Sequence, residues 1–371
     1  MPSANALPGK QTRGYELLEL TAISGELPAG QLSRLSGGES YKAAVITALK
    51  QKRLLKTYYR DGLRGYRLTA QAKELLCVEN PDRFLFYLTG SVDTNHVKSE
   101  ITRRLRLHRI AETAVTMKNA GVTIFRDERP AVFAPAWCGD IHIRSPSFFN
   151  SREIKELGTV FAKIRGARSV GVLLTEREIY AVYNLGDALM KWEYKSEMRT
   201  KALLKTVLCR ERLPDQYSPD SVRGLIFGNR MELAYDLLTN AGGKQYFVLD
   251  GNYEGFCFLT NDRKGEAVLK LLCCPELAES LNEILTGDLE PAQPGFTIEN
   301  DAMEDGNPVL LCYTCDLPRI KRFHSALQLQ NRHGTIICFD YQAETLRRYC
   351  GDTVQFQTID FEKWESLSEH T

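Results

Sequence analysis

Tyr15, Leu17, Leu18, Leu20 and Ile23 recur at a helical period and predict a first helix over Arg13 to Ser24, ended by Gly25. Pro28 opens a short second helix carrying Leu32 and Leu35. After the Gly37-Gly38 turn, a third helix starts at Glu39 or Ser40, with Tyr41, Ala44, Val45, Ala48 and Leu49 inward. KRLLKTYYR then reads as a strand, DGLRG as a turn and GYRLT as the returning strand. Thr69 is placed to cap a fourth helix, AQAKELL.

Beyond this head the pattern changes. A long helix is expected over Thr94 to Asn119, stopped by Gly121. VTIF and AVFA read as a strand pair around RDERP, and the segment to Phe149 as irregular. Asn150 and Glu153 suit a capping box for a helix over Ser151 to Ile164. SVGVLLT, EIYAVYN and LMKWEY follow as three strands, then a helix over Ser196 to Cys209 and the strand VRGLIFG. MELAYDLLTN is a helix, QYFVLD and GFCFLT are strands, and further helices run to Leu285. EPAQPGFTIENDAMEDGNP reads as a linker. The last segment alternates strand, helix, strand, helix, strand, as parallel strands with helical crossovers do.

The expected fold class is α/β (α+β). Its divisions are a head over 1–80, a basic connecting helix over 81–121, an α/β core over 122–290 and a C-terminal βαβαβ segment over 291–371. No internal repeat is visible. No run approaches the roughly 18 apolar residues of a membrane span, and the N-terminus lacks a secretory apolar stretch, so a cytoplasmic protein with no membrane partner is expected. The ten cysteines are scattered and read as reduced core residues; Cys312-Tyr313-Thr314-Cys315 is read as buried thiols rather than a redox pair.

Charge changes the picture. The first 77 residues hold twelve Lys and Arg against six Asp and Glu, whereas the whole chain is nearly balanced at +1. A basic head with helix, helix, helix, hairpin, helix order reads as a winged helix-turn-helix that meets double-stranded DNA. Ser40, Lys42, Ala43, Thr47 and Lys50 are expected on the groove-facing side of the third helix. Arg60, Arg64 and Arg67 are expected at the wing, beside phosphates. On the long helix, Lys98, Arg103, Arg104, Arg106 and Arg109 read as a solvated face over buried Ile101, Leu105 and Leu107, with His96 and His108 at the surface.

One group in the body suggests chemistry. Ser151 to Gly228 reads α-β-β-β-α-β, an order found in restriction-endonuclease-like folds, where an Asp and a Glu-x-Lys on adjacent strands hold Mg²⁺ and activate water. Asp187, Glu193 and Lys195 supply those types, with only five residues between the carboxylates. Three readings stand: an active nuclease, a degenerate nuclease-like scaffold, or an unrelated α/β arrangement. No other cofactor or metal is expected.

The head, from Tyr15 to Leu76, and GDALMKWEYKSEMRTKALL together resemble the replication-relaxation family of Gram-positive plasmids and integrative conjugative elements. The resemblance implies a DNA-binding accessory protein in replication, mobilisation or conjugative transfer, without catalysis. Relaxase or replication and transfer proteins, and a second copy of the chain, are the implied partners. The alternatives are a Mg-dependent nuclease and a winged-helix transcriptional regulator with a sensor body.

Overall fold

The structure, a computed structural model, describes residues 6–135, 139, 141–154, 157, 167–191, 193–239, 253–293 and 295–368. The protein is a mixed α/β chain with three sheets, in two units, Met1–Ala131 and Val132–Thr371. The boundary falls later than the expected break at residue 80. Helices of the intended connector pack into the head and belong to it.

The head begins with α1 (Arg13–Ser24). Thr12 caps it by accepting from the Tyr15 amide, and Gly25, at φ 80, ends it with its amide on the Thr21 carbonyl. Every residue from Gly14 to Ser24 is buried, so α1 is a central helix rather than a surface one. Its acids survive burial through partners: Glu16 pairs with Arg13 and Lys118, and Glu19 with Arg83. The short β1 (Leu27–Pro28) and a 3₁₀ turn (Ala29–Arg34) lead to α2 (Glu39–Gln51). β2 (Leu55–Arg60) and β3 (Leu63–Leu68) form the hairpin, and β1 adds to it in the order β1-β3-β2. The turn is tighter than expected. Asp61 and Gly62, both at positive φ, make the whole connection, and Leu63 to Gly65 already belong to β3.

α3 (Ala70–Glu79) starts at Thr69, whose hydroxyl accepts from the Ala72 amide. α4 (Pro81–Leu88) and α5 (Ile101–Asn119) follow. α5 starts seven residues later than its expected start at Thr94; Leu107 is buried and Arg103 and Arg106 are exposed as expected, but other positions depart. Ile101 and Leu105 are exposed, while Arg104 and His108 are buried beside Glu26. VTIF and AVFA form no strands; the chain there carries a 3₁₀ turn (Arg126–Glu128) that brings Asp127 and Glu128 to Arg83.

In the second unit, β4 (Ser147–Asn150), β5 (Gly171–Leu174) and β6 (Ile179–Gly186) form an antiparallel meander. The helix Tyr194–Thr206 crosses to β7 (Val222–Gly228), and the helix Glu232–Thr239 leads toward β8 (Phe256–Thr260), both strands parallel to β6. The meander is thus one strand earlier than expected. The end of the segment expected to be irregular supplies β4, and the described residues of LMKWEY form no strand. The capping pattern at Asn150 holds: Glu153 accepts from the Asn150 amide and Asn150 from the Arg152 amide, beginning the helix Ser151–Ile154. Most of the rest of that expected helix, and the expected strand QYFVLD, lie outside the described residues.

The acidic, Pro-rich stretch expected to be a linker is instead part of a sheet. β9 (Glu290–Pro291), β10 (Ala302–Glu304) and β11 (Asn307–Leu311) make a second antiparallel meander. The helices Leu317–Gln330 and Asp340–Cys350 cross to β12 (Gly334–Phe339) and β13 (Val354–Ile359), both parallel to β11. The two sheets therefore repeat one topology, three meander strands and then two parallel ones, each in sequential order. One apolar core runs through both. Phe258 donates its amide to the Cys315 carbonyl, joining β8 to the second half.

Gly65 lies against the Glu26 carboxylate, and a Cβ there would stand 2.4 Å from Oε1. Gly65→Ala is expected to destabilise the head by about 1–3 kcal/mol, read as a lower denaturant midpoint of the transition that carries the head's amide-exchange signals.

Candidate nucleic-acid interface

α2 buries a stripe of Lys42, Ile46 and Leu49, with Val45 half-buried. That stripe lies about one position away from the expected one. Tyr41, Ala44 and Ala48 are consequently exposed rather than inward. Ser40, Ala43, Thr47 and Lys50 are exposed as expected, so α2 presents a surface of short side chains edged by one ammonium. Lys42 is a correction. Only 3% exposed, it turns its ammonium to Glu39, at 2.7 Å, and to the carbonyls of Ser33 and Leu35, at 3.4 Å each. It closes the end of the preceding 3₁₀ turn and faces no groove.

Pairing in the hairpin sorts its cations onto two faces, because residues directly opposite share a side. Tyr59 lies opposite Arg64, Thr57 opposite Tyr66 and Leu55 opposite Leu68. On this face Tyr59 is 70% exposed and Arg64 is exposed. Lys50 sits with its ammonium 5.7 Å from the Tyr66 ring centroid, which brings the end of α2 to the same side. Arg60 opposite Leu63, Tyr58 opposite Gly65 and Lys56 opposite Arg67 make the other face. Arg60 is exposed there, beside Asp61. The expected single row of wing arginines is therefore divided, with Arg64 on the α2 side and Arg60 and Arg67 behind.

Arg67 is the second correction. It is buried, with its Nε 2.8 Å from Glu26 Oε2 and its guanidinium 3.6 Å above the Tyr58 ring. Arg104, fully buried, donates from Nη2 to Glu26 Oε1 at 2.6 Å and to the Leu63 carbonyl at 3.0 Å, and from Nη1 to the Arg60 carbonyl at 2.8 Å. His108 Nε2 lies 2.8 Å from the same Oε1. Burial pushes the Glu26 carboxyl up, but the hydrogen bonds from His108, Arg104 and Arg67 outweigh it and hold the group at about 2. Sequence reasoning missed this cluster because its four members lie far apart along the chain and each reads alone as a surface charge.

In the body, Asp187 follows β6 and is exposed; its Oδ1 accepts from Asn229 at 2.9 Å. Glu193 and Lys195 are exposed at the start of the helix Tyr194–Thr206, not on a strand. β5 and β6, the second and third strands of the meander, carry no Asp or Glu. Glu193 stands at the N-cap, where a carboxylate suits the helix dipole. Among the described residues no three metal-ligating side chains gather, so Asp187, Glu193 and Lys195 do not fit the oxygen cage that Mg²⁺ needs. On the same helix Glu197 does enter the interior: fully buried, it accepts from the Tyr183 hydroxyl at 2.8 Å and the Arg168 amide at 2.8 Å. Burial raises its carboxyl, and Tyr183 in turn meets the Tyr253 hydroxyl at 2.9 Å. All three groups are enclosed, which makes them a core network without access for a substrate.

Cys312 and Cys315 are buried free thiols, pushed well above the ordinary thiol range by burial. That matches their expected core role and is the reverse of a reactive pair. The chain matches no family model, no curated protein and no solved structure.

The Glu26 carboxyl, at about 2 in the folded protein against an ordinary 4.5, contributes stability above pH 4.5 that is lost as pH falls from there through 2. The loss is expected to be on the order of 3 kcal/mol, read from denaturant melts at successive pH values, with Glu26→Gln flattening the acid limb. Asp187→Ala and Glu193→Ala, as exposed changes, are expected to shift stability by no more than about 0.5 kcal/mol, checked by thermal melts with and without Mg²⁺.

Proposed function

We propose that the chain is a DNA-binding accessory protein of a mobile element, acting in replication, mobilisation or conjugative transfer, with its head as a winged-helix module. The observation that carries this reading is the shared side of α2 and the hairpin. Short residues (Ser40, Ala43, Thr47) allow a helix to come close to base edges, and Lys50 and Arg64 flank it for phosphates. The element order, with β1 completing a three-stranded sheet, supports a winged helix. The resemblance of the head and of GDALMKWEYKSEMRTKALL to the replication-relaxation family supports the mobile-element setting. Relaxase or replication proteins are the partners this implies, with the body as the surface that meets them.

The nuclease reading is the weaker one, since its three residues are exposed and lie off the strands that would bring them together.

Lys50→Ala with Arg64→Ala is expected to weaken duplex binding and to reduce the slope of log affinity against log salt by about 2, roughly one per phosphate contact. Substitution of Arg60 alone, on the other face of the hairpin, is expected to have a smaller effect. Binding measured by anisotropy at several salt concentrations checks both, and an unchanged slope in the double variant would remove this face from the interface.

A further inference from the structure

Behind the hairpin, on the face opposite α2, the head contains an open cavity of about 320 Å³. Its wall includes Lys56, Arg67, Lys73, Thr94, Asn95 and His96, and no Asp or Glu. The wall is held in place. Gly25, at φ 80, lets the segment at Thr94 lie against the end of α1, where a Cβ would stand 2.8 Å from the Thr94 Cα. Thr94 anchors that segment through its hydroxyl on the Tyr87 carbonyl, at 2.6 Å.

Of the three cations, Arg67 is already matched by Glu26. The other two are not matched by any carboxylate. Lys73 donates to the Asn95 backbone carbonyl and to Asn95 Oδ1, at 2.9 Å for the latter, both neutral acceptors. Lys56 projects from β2 on the side of Arg67, is exposed, and makes no hydrogen bond or ion pair among the described residues. Burial, and then the charge of Lys56, lower the Lys73 ammonium below its ordinary value. Two like charges facing one concave space destabilise each other unless an anion joins them.

We propose that this cavity is a binding site for a compact phosphate-bearing anion, held between Lys56 and Lys73 with Asn95 and His96 at its mouth. A phosphate group carries close to two negative charges near neutral pH and so compensates both lysines, whereas a single carboxylate leaves one unmatched. Lysine serves phosphate as a point charge and needs no planar, bidentate partner. The cavity favours a small anion over a duplex backbone because Arg67 and Thr94 in its wall are only 8% and 5% exposed, and because Lys56 and Arg67 lie on the hairpin face opposite Tyr59 and Arg64.

The test is a calorimetric titration of the whole chain with inorganic pyrophosphate, and in a separate arm with a short DNA duplex. Saturable pyrophosphate binding is expected, weakened about tenfold or more by Lys56→Glu and by Lys73→Gln, a loss of the size that one charge-assisted contact accounts for. Lys56 is exposed and unbonded, so its variant keeps the fold even if Lys73→Gln does not. No pyrophosphate binding at millimolar concentration, or equal binding by the Lys56→Glu variant, would overturn the proposal. So would duplex binding that depends on Lys56 while pyrophosphate fails to bind, because the lysines would then serve a DNA backbone.

Discussion

One buried carboxylate organises the head. Glu26 stands between α1 and β1 and draws Arg67 from the hairpin, and Arg104 and His108 from α5, to a single point. A charge buried this deeply is tolerated only because it is matched several times over, and removing it would strand two guanidiniums. Those guanidiniums also do positional work. Arg104 reaches past the carboxylate to the carbonyls of Arg60 and Leu63 on either side of the Asp61-Gly62 turn, and both arginines cover the Tyr58 ring. Gly65 is glycine because the carboxylate occupies the space of a side chain. The unit therefore ends at residue 131 rather than 80: α5 supplies half of the cluster on which the hairpin rests.

Much of the head was legible because its signals are local. Thr69 as a cap, Gly25 as a stop and DGLRG as the region of the turn each act within a few residues. Failures occurred where a specific buried partner overrode local character. Lys42 and Arg104 read as solvent-facing cations because charge usually does face water, yet Lys42 meets Glu39 and the Ser33 and Leu35 carbonyls nearby in the chain, and Arg104 meets Glu26 from far along it. With Lys42 inward, the apolar stripe of α2 lies differently and Tyr41 is exposed. With Arg104 inward on α5, Ile101 and Leu105 are exposed.

The body was less legible, for a different reason. Periodicity registers long strands well, but β4, β9 and β10 are two to four residues long and carry Ser, Asn, Pro or Glu. Missing β4 shifted the meander by one strand and moved Glu193 onto an apparent strand; in the structure it begins a helix. Missing β9 and β10 turned half of a sheet into a linker. Once those short strands are counted, the two halves share one topology, a repetition that side-chain identity does not reveal. The same backbone path is filled by different residues, as packing requires only apolar volume of about the right size.

The grip of Arg104 on both sides of the hairpin turn has a kinetic consequence. A loop held at two carbonyls by one rigid, planar group has little freedom left to lose when it meets another molecule. Association through this hairpin would then proceed at a rate set by encounter and charge rather than by the search of a floppy tip for its bound shape. The stiffness that makes the tip ready also narrows the range of surfaces to which it can adapt.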